Sequence, residues 1–93
     1  MTQFSCIVIG NEALAIQCAD MLAERGHRVA AFVTAEDGLA QLAAERDLVT
    51  VPQGPGLAEA LSGTQVDWVL SIANLKIVPE AVLALASQGA VNF

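Results

Sequence analysis

Few residues of this chain have the type and spacing that chemistry demands. His27 is the only histidine, held between Gly26 and Arg28 at a turn that leads into the start of a strand, so it reads as a solvated turn residue. Cys6 and Cys18 lack CxxC spacing and read as small core hydrophobes rather than a disulfide or metal pair. No G-x-S-x-G elbow and no metal-spaced ligand set occurs, so no metal site is expected. Gly10 opens a turn, but a dinucleotide fingerprint needs G-x-G-x-x-G so that backbone can approach a pyrophosphate. Here Gly10 is followed by Asn11, Glu12, Ala13, Leu14 and Ala15, and Glu12 would set a negative charge against phosphate. Glu36 sits where a ribose-binding carboxylate would fall, a single feature in favour of a nucleotide site. The remaining polar candidates follow apolar runs: Thr34-Ala35-Glu36, the PQGPG stretch at 52–56, ANLKIV at 73–78, and Asn92.

The elements that must position these groups are legible in the hydrophobic pattern. Residues 4–9 (FSCIVI), 28–34 (RVAAFVT), 48–51 and 68–72 (WVLSI) are short apolar runs of strand character, and 90–93 begins a fifth. Between the first two, Leu14, Cys18, Met21, Leu22 and Arg25 fall at helical spacing. Asn11 is the expected N-cap and Gly26 the expected left-handed residue beyond the helix end. Asp37 is expected to cap a helix over 38–46 that turns Leu39, Leu42 and Ala43 inward. A turn or two of helix is expected over 57–61, and Pro79 suits the first position of a helix reaching about Ser87. Glu24, Arg25 and Arg46 read as a solvated helix surface, while Met21 and Trp68 read as core.

The order β-α-β-α-β-α-β-α-β predicts a Rossmann-like α/β fold: an open parallel sheet with helices on both faces and right-handed crossovers. Ligands of such sheets bind beyond the C-terminal ends of the strands, where the polar candidates above lie. Ninety-three residues allow one domain at most. Hydrophobic residues make up 55% and charged residues only 15%, with a mean hydropathy of +0.56. No apolar run approaches the ~18 residues of a membrane span, so the excess fits strands buried on both faces. It also suits an apolar surface that meets further chain. A net charge of −6, with only Arg25, Arg28, Arg46 and Lys76 as cations, argues against nucleic-acid binding. No basic region precedes the first apolar run, as a secretory signal would require, so a cytoplasmic protein is expected.

Residues 67–93, DWVLSIANLKIVPEAVLALASQGAVNF, carry the specific signal. A strand, an apolar loop, a helix opening at Pro-Glu and a strand ending Gly-Ala-Val-Asn together resemble the folate-dependent formyltransferases of the methionyl-tRNA formyltransferase-like family. In that family the last strand ends in Asn-x-His-x-Ser-Leu-Leu-Pro. The layout matches over the whole chain, the motif only over 67–93. The resemblance implies that residues 1–93 are the N-terminal portion of such a domain, with the sheet incomplete on its C-terminal side. It implies 10-formyltetrahydrofolate as the formyl donor and an amine as acceptor. Asn92 matches the family's catalytic asparagine, whose amide N–H stabilises charge developing on the formyl oxygen. Asn74, Leu75, Lys76, Ile77 and Val78 match the loop that holds the pterin ring by backbone groups and apolar walls. Gly10, Asn11 and Glu12 match the region facing the acceptor.

The family's histidine and aspartate lie beyond Phe93, so the chain alone is expected to be inactive and to depend on the remainder of its domain. The acceptor is left open among an amino acid or carrier-protein-bound aminoacyl thioester, an aminosugar and an initiator tRNA, the acidic charge weighing against tRNA. The SIANL and GAVNF segments look most like formylation domains of peptide or polyketide synthetases. Two readings from other classes stand beside this one: a Rossmann-type nucleotide-binding module without formyl chemistry, and a non-catalytic docking domain whose sheet edge pairs with another chain.

Overall fold

A computed structural model describes residues 3–74 and 77–93. Among the described residues, five strands, β1 (Ser5–Ile9), β2 (Arg28–Thr34), β3 (Thr50–Pro52), β4 (Val66–Ser71) and β5 (Ala86–Asn92), alternate with four helices. These are α1 (Ala13–Glu24), α2 (Asp37–Glu45), α3 (Leu57–Ala60) and α4 (Glu80–Leu83). The sheet order is β3-β2-β1-β4-β5 and every pairing is parallel. The expected open α/β sheet is therefore the fold, with its order reversing at β1 and β4.

The apolar runs form strands because both faces of the sheet are covered. Successive side chains of β1 point to opposite faces. Cys6 and Val8 join Ala15, Ile16, Ala19 and Leu22 of α1 and Ala43 of α2. Ile7 and Ile9 join Leu57 of α3 and Val82 of α4 on the other side. Phe32, Ile7, Ile9 and Val69 are wholly buried, and truncating Phe32 to alanine would cost ~3–5 kcal/mol.

Several local expectations change. Helix α1 buries Ala15, Ile16, Ala19 and Leu22, while Leu14 and Met21 are exposed and Cys18 only half-buried. Small residues let the helix lie close on the sheet, so Ala15 and Ala19 share the buried face with Ile16 and Leu22. Leu14 and Met21 instead line an apolar groove with Cys18, Ile72 and Phe93. Gly26 does take the left-handed conformation, at φ 84°. Asn11 does not cap α1; Glu12 occupies that position, and neither it nor Glu36, the cap of α2, makes a side-chain cap bond. Asp37 is the first residue of α2 rather than its cap. Pro52 closes β3 from within, opposite Thr34, as an edge strand allows. Helix α4 is only one turn, with Pro79 as its cap, because Ala86 already pairs with Val66 in the sheet. Arg46 is not simply solvated: its guanidinium grips Asp20, tying α2 to α1 and raising its own pKa through that hydrogen bond.

Candidate functional site

Strand ends β1, β2, β4 and β5 converge on one cleft of about 550 Å³ lined by Asn11, Glu12, Ala35, Glu36, Ala73, Asn74, Asn92 and Phe93. This is the crevice that strand-order reversal opens in a parallel sheet. Gly10 is buried beneath it and is not part of its lining. A Cβ on Gly10 would lie 2.6 Å from the Cβ of Ala15 and 2.8 Å from the carbonyl oxygen of Ile72. Glycine is required there because α1 and the end of β4 close onto the end of β1. Phosphate approach is not needed to explain it.

Asn11 projects from that turn into a chain of polar side chains. Its Oδ1 accepts from the backbone N–H of Ala35 at 2.6 Å and from the Thr34 hydroxyl at 3.1 Å. Its Nδ2 donates to Oε1 of Gln53 at 2.7 Å, and Nε2 of Gln53 donates to Oδ1 of Asn74 at 3.2 Å. The Thr34 hydroxyl also accepts from the N–H of Glu36 at 3.1 Å. Loops following β1, β2, β3 and β4 are thus joined by side-chain hydrogen bonds. Thr34 and Gln53 were singled out by the sequence only as members of strand-end segments. Their bonding partners lie 23 and 42 residues away at Asn11, which spacing alone does not reveal.

Beside the main cleft lie two smaller ones. One, of about 230 Å³, is lined by Ile9, Gln53, Gly54, Leu57, Ile77, Val78 and Pro79. The other is bounded by Val69, Ser71, Asn74, Ile77, Val78, Leu83 and Asn92 among others. Ile77 and Val78 form the wall common to both, and Ile77 is 94% exposed, an apolar side chain offered to whatever enters. Among the described residues, no backbone hydrogen bond uses the N–H or C=O of Ile77 or Val78. An apolar wall with available backbone donors and acceptors suits a flat heteroaromatic ring that carries amide-like edges. Leu75 and Lys76, grouped with this loop on sequence grounds, lie outside the described residues.

Asn92 ends β5 opposite Ser71 and lines both the main cleft and the one behind Ile77. Its position is held by the ladder: Phe93 N–H donates to Ser71 at 2.8 Å and Ala73 N–H donates to Phe93 at 2.9 Å. Ala73 sits at φ 47°, a left-handed conformation that turns the chain sharply into Asn74. The predicted donor-side residues Asn74, Ile77 and Val78, the acceptor-side residues Asn11 and Glu12, and Asn92 are therefore neighbours around one strand-end rim.

The thiols lie elsewhere. Cys6 is buried within the core, and burial, helped by the nearby Cys18, pushes its pKa up to about 11. Burial raises Cys18 as well. Neither is disposed to act as a nucleophile. Among the described residues, no group of three or more His, Cys, Asp or Glu side chains is placed to hold a metal, and no helix is long and apolar enough to cross a membrane.

No protein-family model matches this chain, and a search of curated proteins gives no match. Solved structures do match. One is glycinamide ribonucleotide transformylase 1 from Geobacillus kaustophilus, with a TM-score of 0.65 and 21% sequence identity. The alignment covers 99% of this chain and 57% of that one, so this chain spans little more than half the length of its structural neighbour. At that identity the likeness establishes the fold alone, an open parallel α/β sheet shared with that structure.

Proposed function

We propose that this chain forms the folate-side wall and part of the acceptor-side wall of a site that transfers a formyl group from 10-formyltetrahydrofolate to an amine. The observation that carries the reading is that Asn92, Asn74, Ile77 and Val78 border one cleft over the ends of β4 and β5, in a sheet similar to that of glycinamide ribonucleotide transformylase 1. The donor supplies the formyl carbon when bound. The Ile77 and Val78 side chains cover one face of its ring, and their backbone N–H and C=O groups read the ring edge. The Asn92 side-chain N–H donates to the formyl oxygen as negative charge builds on it during amine attack. The main cleft, with Asn11 and Glu12 on its far side, receives the amine. Proton transfer from the amine needs a base, the role that the resemblance assigns to a histidine and an aspartate.

The acceptor to try first is an aminoacyl thioester on a carrier protein, followed by an aminosugar and an initiator aminoacyl-tRNA. The test is transfer of labelled formyl from 10-formyltetrahydrofolate to each acceptor by the full-length protein. Label on one amine, lost on Asn92→Ala, supports the reading; absence of transfer to every amine, with no folate binding, contradicts it.

A nucleotide site is the second reading, because Glu36 at the end of β2 lines the same cleft. Thermal protection by NAD or NADP, with none by folates, would favour it.

A further inference from the structure

The amide chain at the strand-end rim has a direction, and the direction is set by backbone. Side-chain amides have a donor end and an acceptor end, and which way each faces follows from its neighbours. The N–H of Ala35 can only donate, so the atom of Asn11 that meets it at 2.6 Å must be the carbonyl oxygen. The other end of Asn11, an NH2, then faces Gln53 and requires its carbonyl oxygen there. Gln53 must in turn present its NH2 to Asn74, which receives it on Oδ1. Asn74 is 9% exposed, so its orientation is not averaged by solvent.

We infer that Gln53 is a positioning residue that transmits the polarity of the Ala35 N–H, at the acceptor side, to the Asn74 amide, at the folate side. Gln53 belongs to the loop after β3, a strand that contributes nothing to the lining of the main cleft, yet its side chain bridges the turn after β1 and the loop after β4. It also lines the small apolar cleft together with Ile77 and Val78. The relay therefore sets Asn74 Oδ1 toward Gln53, at a residue that also lines the cleft bounded by Ile77 and Val78. Its role in folate binding rests on the proposed function; the polarity of the chain does not.

The test uses two substitutions that keep shape and remove one donor each. Gln53→Glu keeps the acceptor toward Asn11 but opposes two oxygens across the Gln53–Asn74 contact. Asn11→Asp keeps both bonds from Ala35 and Thr34 but removes the donor to Gln53. Side-chain amide resonances of Asn74 are followed by 15N NMR in the full-length protein, alongside calorimetric binding of a non-transferable 10-formyl folate analogue. The relay predicts that the Asn74 resonances shift in both variants, including Asn11→Asp, whose altered group does not touch Asn74. It predicts that Gln53→Glu binds the analogue roughly tenfold more weakly, one hydrogen bond's worth, in protein that is still folded at the temperature of the titration. Unmoved Asn74 resonances in both folded variants would overturn the relay. Equal analogue binding by wild type and Gln53→Glu would overturn the positioning role. If the wild-type protein binds no folate while the resonances still shift in both variants, the folate reading fails and the relay stands.

Discussion

The two rims of this sheet use polar side chains differently. At the N-terminal rim, the bonds close locally between adjacent strands. Oδ2 of Asp67 accepts from the N–H of Ser5 at 2.8 Å and lies 3.3 Å from the Ser5 hydroxyl, and Ser5 Oγ accepts from the N–H of Asp67 at 3.1 Å. His27 Nδ1 accepts from the N–H of Phe4 at 3.2 Å, and the two rings stack with centroids 3.8 Å apart. At the C-terminal rim, Asn11, Gln53 and Asn74 join loops rather than strands, and they border clefts. One rim fastens strands together; the other holds groups around open space. The lesson is that similar hydrogen bonds serve stability at one end of the sheet and geometry at the other.

The sharpest way to separate the rims is to remove one side chain from each. On the proposed function, Asn92→Ala at the C-terminal rim should lower kcat by about 10²–10³, on the order of 3 kcal/mol, the cost of losing one donor to developing charge. Its melting temperature should stay within a degree or so, since Asn92 is exposed at a strand end. Asp67→Ala at the N-terminal rim should do the opposite. It strands the Ser5 N–H and costs ~1–3 kcal/mol in denaturant unfolding, with kcat for formyl transfer unchanged.

Smaller effects test the same contrast. Ala73→Gly removes the left-handed strain beside the cleft and should raise unfolding stability by up to about 1 kcal/mol. Because that turn aims Asn74, KM for the folate should rise even though the protein is more stable. In the core between the rims, the buried Cys6 thiol has a folded pKa near 11 against an ordinary 9.0. Burial favours the protonated form, so this contribution to stability is complete below pH 9 and fades as the pH rises from about 9 to 11. Denaturant titrations across that window should show a larger alkaline loss in the wild type than in Cys6→Ser, where only the Cys18 thiol remains. Iodoacetamide at neutral pH should modify Cys18 before Cys6.

How much of this was legible in the sequence varies with the range of the interaction. Strand β2 lies where its apolar run predicts, residues 28–34, because a strand covered on both faces needs little but apolar character. Gly26 was equally legible, since few residues tolerate its φ. The buried face of α1 was not, because Ala15 and Ala19 carry little hydrophobic weight and act by letting the helix approach. The boundary between α4 and β5 falls in an alanine-rich stretch whose helical preference is overridden by pairing with Val66. The position of Asn92 at the rim follows from the strand-end rule. The bond from Asn11 to Ala35 does not, because an Asn before a helix ordinarily reads as a cap and its true partner lies across the sheet turn.

The central claim, that the Ile77–Val78 wall and Asn92 border a folate site, is tested most directly by titrating the full-length protein with a non-transferable 10-formyl folate analogue and following backbone amide resonances. Saturable binding that shifts the Ile77, Val78 and Asn92 amides, with Ser5 and Asp67 at the other rim unmoved, is the predicted result. No saturable binding, or shifts confined to residues away from this rim, would contradict it.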